Sequence, residues 1–387
     1  MSLPDRIREP LNALHARLLV RRPGLLERLV AVSLSTALAE SLRPEELFAL
    51  SRRVLVEGAK NRLANQDLVR GSRCQVVENA APLRALHAQG RGAVVASLHL
   101  GPFHHALTEA AAIHPEVVVF AAEHLRDHFQ RSWDRIARDR SFALDVIPSG
   151  GRAGLLRAVK ALRGGAFGVI FVDSTNRAGG RAGTPERDVE LEFLTLPFRM
   201  SVGPAFLAAR AGVPLVCARA RREGWRRTIQ FSDPLEVPDT DPETLAAAVR
   251  QMYQWLETGV REKPEAWDGW VQHLLYWARS GEPPRVTRDA WDQRTRELET
   301  QIQAGSHLRL RVEPAHVAWL GEGAERLVFH GPKRRLIKAT PGIVALLGAG
   351  ERGVTLTELA RRASVPRSEL ARELARLELA GLARIDP

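Results

Sequence analysis

The stretch His99-Leu-Gly-Pro-Phe-His104-His105 follows the apolar run GAVVASL and leads into the helix-like HALTEA. A buried strand that turns into a helix delivers its last residues to the C-terminal edge of a sheet, where open α/β folds bind ligands. His99 is therefore the first candidate for chemistry. An imidazole takes a proton from a hydroxyl or amine nucleophile near neutral pH, provided a neighbour holds the ring in one tautomer. In a strand-to-helix turn, a residue five positions on, here His104, can fold back alongside it.

Other residues could bind an anion. Gly150, Gly151 and Arg152 open a helical stretch whose free N–H groups and positive dipole suit a phosphate, as of phosphopantetheine or coenzyme A. A plain loop closing a βα unit explains them equally simply and more often. Arg177 and Arg181, in the glycine-rich STNRAGGRAGTPERD, and Arg199, just before Ser201, can meet an acidic carrier or a phosphate, or be solvated loop arginines.

Elements must hold these residues in place, and the chain reads as helical over residues 5–65 and changes character near residue 92. From there GAVVASLHL, EVVVFAAE, ALDVIPS, GAFGVIFVDS, VPLVCARARR and TIQFSDPLEV alternate with helical stretches, the pattern of an α/β layer fold with a largely buried sheet. In SGGRAGLLRAVKALRGG, Leu155, Leu156, Val159 and Leu162 are read as one helix face. Ser201 is read as the N-cap of SVGPAFLAARA, with Gly212 at its end. A tryptophan-rich segment, EAWDGWVQHLLYWARS, is read as helical, and the prolines of SGEPPRVTRD prevent that helix from continuing. The expected organisation is a main domain at 1–280, a linker at 281–304 and a small domain at 305–387.

With 387 residues, 45% of them apolar and 26% charged, the chain can bury one large core and a smaller one. Its net charge of +11 favours acidic partners: a carrier protein, phosphate-bearing cofactors, anionic lipid or nucleic acid. An arginine-rich composition also arises from a GC-rich genome. Cys74 and Cys217 show neither a disulfide framework nor a zinc-type spacing. The N-terminal residues carry charges throughout and lack the apolar run of a signal peptide or spanning helix, so a cytoplasmic location is expected.

Around His99 the chain resembles the lipid A biosynthesis (lauroyl and myristoyl) acyltransferases, whose mark is H-x-x-x-x-D/E in a setting close to H-F-G-N-W-E. His99 and Gly101 match, and His104 stands where the family has its acid. The likeness continues in order through CQVVENAAPLRALHAQGRGAVVASLH, FVDSTN, LPFRMSVGPAFLAARAGVPLV, DPLEV and EKPEAWDGWVQHLLYWA, covering about residues 20–280. It implies a glycerolipid acyltransferase-like sheet flanked by helices, with the STNRAGG stretch bordering the cleft. In that family the carboxylate orients the histidine and stabilises the imidazolium. His104 cannot supply that charge, although it can accept a hydrogen bond through an unprotonated nitrogen. Asp173, Glu109 and Glu123 are the carboxylates that could, and Asp173 leads because it ends a strong strand. His105 ranks behind these. Phe103, Leu107 and Phe193 are placed to line an acyl groove, core packing being the commoner fate of such residues. Family members usually carry an N-terminal membrane anchor; its apparent absence here suggests a soluble acceptor or peripheral membrane contact.

Residues 305–387 outline a winged helix: a β-ribbon in HLRLRVEP and RLVFHGPKRRLIKAT, helical stretches beginning near Pro341, Thr355 and Pro366, and a closing strand at GLARI. They resemble PqqD-like domains, which capture an extended leader peptide as an added strand. A DNA reader would use Arg367, Arg372 and Arg376, but Glu369, Glu373 and Glu378 alternate with them and weaken phosphate binding. Peptide or protein docking is thus placed ahead of nucleic acid.

The expected function is transfer of an acyl group from a carrier-protein or coenzyme A thioester to a hydroxyl or amine, in specialised or lipid biosynthesis. His99 is the base, aided by His104 or Asp173, and no metal or redox cofactor is called for. Two other readings stay open: an inactive acyltransferase fold that docks a peptide or protein, and a DNA-linked regulator.

Overall fold

The computed structural model describes residues 30–34, 37–38, 44–69, 74–121, 126–148, 152–173, 188–194, 196–270, 287–305, 307–312, 317–320, 327–330, 335–338, 340–362, 365–379 and 381–386. The chain divides into two compact units, one holding residues 53–272 and the other 273–387 with 23–52.

In the first unit, helix α1 (Pro44–Val69, of which the part from residue 53 belongs here) precedes β1 (Val76–Glu78), α2 (Ala81–Ala88) and β2 (Ala93–Ser97). Next come α3 (His105–Ile113), β3 (Glu116–Ala121), α4 (Arg126–Asp139), β4 (Ala143–Pro148), α5 (Arg152–Arg163) and β5 (Phe167–Phe171). A hairpin of β6 (Asp188–Phe193) and β7 (Leu196–Ser201) leads to α6 (Gly203–Ala211), β8 (Leu215–Glu223), β9 (Arg226–Phe231) and the long α7 (Pro242–Glu262). The main sheet runs β1-β9-β8-β2-β5-β3-β4, parallel throughout except for the antiparallel β8–β9 pair. This is the expected helix-flanked α/β sheet.

Central strands read as continuous apolar runs because helices cover both faces. In β2 every residue is buried, and Val95, Phe167, Val169, Val119 and Val216 join one core cluster with Leu107 and Ala110 of α3. In α5, Val159 and Leu162 are buried whereas Leu156 is 60% exposed. The face is set by the i, i+4, i+7 row of Leu155, Val159 and Leu162, and Leu156 lies about 100° around from Leu155. Ser201 is the last residue of β7 rather than the cap of α6, which starts one residue later from Val202, with Ser201 Oγ accepting the Gly203 N–H at 3.1 Å. Gly212 ends the helix in the left-handed region.

The second unit contains α8 (Arg288–Gln303), β10 (Arg309–Arg311), β11 (Val317–Leu320), β12 (Leu327–His330), β13 (Arg335–Lys338), α9 (Pro341–Gly350), α10 (Leu356–Arg362), α11 (Arg367–Leu379) and β14 (Arg384–Asp386). Strands β11, β12 and β13 form an antiparallel sheet, and β10 pairs with β14. Part of the expected linker is therefore a helix: α8 is capped by Thr287, buries Leu298 and Ile302 in the core of this unit, and is tied to α11 by a two-pronged Arg294–Glu378 ion pair. The two prolines at 283 and 284 lie outside the described residues, whereas the i, i+4 pair Leu298 and Ile302 reads as helix. Among the described residues no helix is long and apolar enough to cross a membrane.

Candidate active site

Parallel pairing places Ser97 of β2 opposite Phe171 of β5. His99 and Asp173 each lie two residues beyond that last pair, so both reach the C-terminal edge of the sheet side by side. The ladder continues one step, with Val172 N–H donating to the Ser97 carbonyl at 2.8 Å. At the next step the Asp173 side chain substitutes for a backbone acceptor, its two oxygens taking the His99 N–H at 2.9 and 3.1 Å.

The same carboxylate accepts from the His99 ring, Nδ1 to Oδ1 at 2.7 Å, and from the Trp267 indole, Nε1 to Oδ2 at 2.7 Å. Asp173 is buried, with a side chain 5% exposed, while that of His99 is 31% exposed. Burial alone would raise the Asp173 pKa, but the His99 charge and the donated hydrogen bonds outweigh it and hold the carboxyl below its ordinary range. For His99, burial pulls the ring down, and Asp173, with a smaller contribution from Asp268, overrides it and holds the ring above its ordinary value. Since Nδ1–H faces a carboxylate, Nε2 is the atom left to take up a proton.

Three further contacts fix this geometry. Gly101 has φ of +58°, and a Cβ there would stand 2.8 Å from the Ala220 carbonyl oxygen, so the chain can turn here only without a side chain. Trp267 bridges Leu100 in antiparallel fashion, with Gly101 N–H donating to the Ala266 carbonyl and Asp268 N–H to that of His99. The Tyr253 hydroxyl of α7 donates to the Val172 carbonyl at 2.9 Å. The tryptophan-rich segment, expected to be helical, is over 264–267 a short 3-10 turn followed by this bridge. Pro264 opens the turn, and pairing with the His99 loop takes the backbone groups a helix would have used. Residues 271–280 lie outside the described part.

His104 does not take the acid's place. Its ring packs on Phe103 at 4.1 Å and stacks on Trp133 at 5.4 Å between centroids. Burial, and then the nearby His99 charge, push its pKa down to about 3, so it is neutral. Its Nδ1 is buried without a hydrogen-bond partner. His105 points into the core at 1% exposure and is held well below the ordinary histidine range by burial first and then by Arg227 and Arg140. Glu109 lies near His105 rather than His99.

Of the acyl-groove candidates, Phe103 meets the His99 ring at 4.5 Å, with Phe171 at 5.0 Å. Leu107 belongs to the core cluster. Phe193 packs on Trp267 and Tyr253. Arg152 is the first residue of α5 and is exposed. It borders an apolar hollow formed by Leu155, Leu156, Val159 and Phe206, with Arg163 and Arg210. Arg199 lies in β7, paired in register with Glu190. Gly150, Gly151, Arg177, Arg181 and Glu123 lie outside the described residues. Sequence reasoning does not find Trp267; an indole among several in an aromatic segment gives no sign of which carboxylate it will meet.

A buried carboxylate bonded to a partly exposed histidine at a sheet edge has the geometry of the base-and-orienter pairs used in acyl and related group transfers. The chain matches the family model of the bacterial lipid A biosynthesis acyltransferases over residues 53–276, more than half its length. It belongs to that family, and is at that level an acyltransferase. Residues 342–387 match the IclR helix-turn-helix domain, a helix-turn-helix assignment that does not extend to the PqqD-like class. The search of curated proteins found no match.

Proposed function

We propose that the protein transfers an acyl group from a carrier-protein or coenzyme A thioester to a hydroxyl or amine, with His99 as general base and Asp173 as the carboxylate that orients it. The observation that carries this reading is the 2.7 Å contact of His99 Nδ1 with Asp173 Oδ1. Where the family motif has its acid, this chain has a neutral histidine in an aromatic slot, and the negative charge comes instead from the adjacent strand end. Nε2 removes the proton of the acceptor as its oxygen or nitrogen attacks the thioester carbonyl; the thiolate leaves and takes a proton as the tetrahedral intermediate collapses. Phe103 and Phe171 offer an apolar wall to the acyl chain beside the ring. The hollow bordered by Arg152, Arg163 and Arg210 suits the acidic surface of a carrier protein or the phosphate of its pantetheine arm.

The test is transfer from acyl carrier proteins of several chain lengths, and from acyl-CoA, to a panel of hydroxyl and amine acceptors. The parent is expected to turn over with at least one pair and His99→Ala to lose turnover. Equal rates in both proteins would remove His99 as the base, and no turnover with any donor would leave the inactive-scaffold reading in its place.

For the second unit, we infer peptide or protein docking ahead of DNA binding. Helix α11 buries Leu370, Leu374 and Leu377. Its Glu378 is engaged by Arg294, and the Trp291 indole reaches the Arg372 carbonyl at 3.5 Å. Along α11 this leaves Arg367, Ser368, Glu369 and Arg372 exposed, with Arg376 partly so and near Glu373, a surface in which acids interrupt the arginines that would meet phosphates. The PqqD-like mode would instead use an edge of the β11–β12–β13 sheet. Fluorescence anisotropy with labelled duplex DNA and with candidate leader peptides over a salt series separates the two.

A further inference from the structure

Away from His99, three side chains from distant parts of the sequence converge. Cys74 lies just before β1, and His105 and Glu109 stand one turn apart on α3. Sγ, a ring nitrogen and a carboxylate oxygen of the three all lie within 4.8 Å of one another. His105 is 1% exposed, and neither of its ring nitrogens has a hydrogen-bond partner. The Glu109 Oε1 is 3.9 Å from Nδ1, too far for a hydrogen bond. Tetrahedral bonds of about 2.0–2.3 Å put neighbouring ligand atoms roughly 3.3–3.8 Å apart, so this spacing needs only a small contraction to surround an ion. An imidazole buried with both nitrogens unsatisfied is costly, and a metal bond would remove that cost.

We propose that Cys74, His105 and Glu109 form a binding site for a divalent ion of the zinc type. Thiolate, imidazole and carboxylate are the donor set zinc takes, with a fourth position left for water. The two anionic ligands balance the ion's charge, and the Cys74 proton passes to solvent as the sulfur–metal bond forms. Arg227 and Arg140 also stand near His105 and Cys74, so the two anionic ligands must outweigh their repulsion of the ion. An ion here would tie the chain entering the sheet to the first turns of α3, directly behind the His99–His104 turn. This departs from the expectation that no metal is held. The sequence hides the site because one ligand comes from residue 74 and the others from an i, i+4 pair that looks like an ordinary helix face.

The test uses the full chain stripped of metal and titrated with cobalt(II), then zinc. One cobalt per chain is expected, with a thiolate-to-cobalt charge-transfer band that zinc displaces. Cys74→Ser should abolish the band, Cys217→Ser should retain it, and His105→Asn and Glu109→Gln should each weaken binding by more than the roughly 10–100-fold that loss of an outer-sphere partner costs. Near-ultraviolet circular dichroism of the metal-free variants checks folding. The proposal is overturned if the parent shows no charge-transfer band at saturating cobalt, or if the band survives in folded Cys74→Ser. The readout is spectroscopic and does not depend on acyl transfer.

Discussion

His99 and Asp173 occupy equivalent places at the ends of neighbouring parallel strands, two residues past the Ser97–Phe171 pair, and are joined through both the ring and the backbone N–H of the histidine. The carboxylate that meets the ring thus lies 74 residues away in sequence, while the position five residues after His99 holds His104.

Asp173→Asn keeps the shape of the side chain but presents an amide where an anion held Nδ1–H. The expected loss in single-turnover transfer is on the order of 10³–10⁴-fold, as for an orienting carboxylate in a catalytic triad. Because the pair acts as a unit, the His99→Ala, Asp173→Asn double variant should be little slower than the worse single one. Additive losses would separate the two residues functionally.

The pH dependence is set by the directions of the two shifts. A base must be unprotonated, so kcat/KM should rise with pH through a midpoint above the ordinary histidine value of 6.5, and the midpoint should fall in Asp173→Asn. For stability the signs differ. His99, raised in the folded state, contributes stability fully present below its unfolded pKa and lost as pH rises through the folded one. Asp173, lowered in the folded state, contributes stability present above its unfolded pKa and lost as pH falls through the folded one. Urea unfolding from acid to mildly alkaline pH should therefore show both flanks in the parent and neither in the double variant.

Six of the seven main-sheet strands and the strand-end carboxylate are readable from the sequence, because runs such as β2 and β5 are apolar and stop just short of His99 and Asp173; the short β1 and the β6–β7 hairpin, where apolar and polar residues alternate, are not. Hydrogen-bond destinations are not. Trp267 reaches Asp173 through a bridge to Leu100, a residue far away in sequence, and His104 turns onto Trp133 because packing, rather than motif spacing, decides its rotamer. Leu156 and Ser201 depart from expectation for local reasons, a helix face rotated by one residue and a cap displaced by one. Helix α8 is hard to see in the sequence because the nearby prolines signal a break.

Trp267→Phe retains the ring that packs on Phe193 and Trp270 but deletes one of the donors to a buried carboxylate. A hydrogen bond to a charged group contributes about 1.5–3 kcal/mol, and a loss of that size is expected in urea unfolding at near-neutral pH. An unchanged midpoint would mean that the indole N–H does not stabilise Asp173.

Gly101→Ala tests the turn itself. The left-handed backbone costs an L-residue roughly 1–2 kcal/mol, and the new methyl would meet the Ala220 carbonyl, which is fixed in β8 and cannot yield. Both a lower melting temperature and loss of turnover are expected, since any shift of residue 101 moves His99. A variant as stable and active as the parent would show that the turn does not position the base.

His104→Glu restores the family's acid at its own position, yet it would lie between the rings of Phe103 and Trp133, where the buried His104 Nδ1 has no hydrogen-bond partner. Burial that lowers an imidazole to about 3 would raise a carboxyl, so Glu at 104 should be protonated near neutral pH or should destabilise the fold when ionised. The outcome expected is lower stability that worsens as pH rises, with no gain in transfer rate. His104→Phe, which fills the slot with an apolar ring, should keep the pH midpoint of turnover set by His99 and Asp173. If His104→Glu instead rescued Asp173→Asn, the family position would still be in reach of His99, and the assignment of the orienting charge to the neighbouring strand would have to be withdrawn.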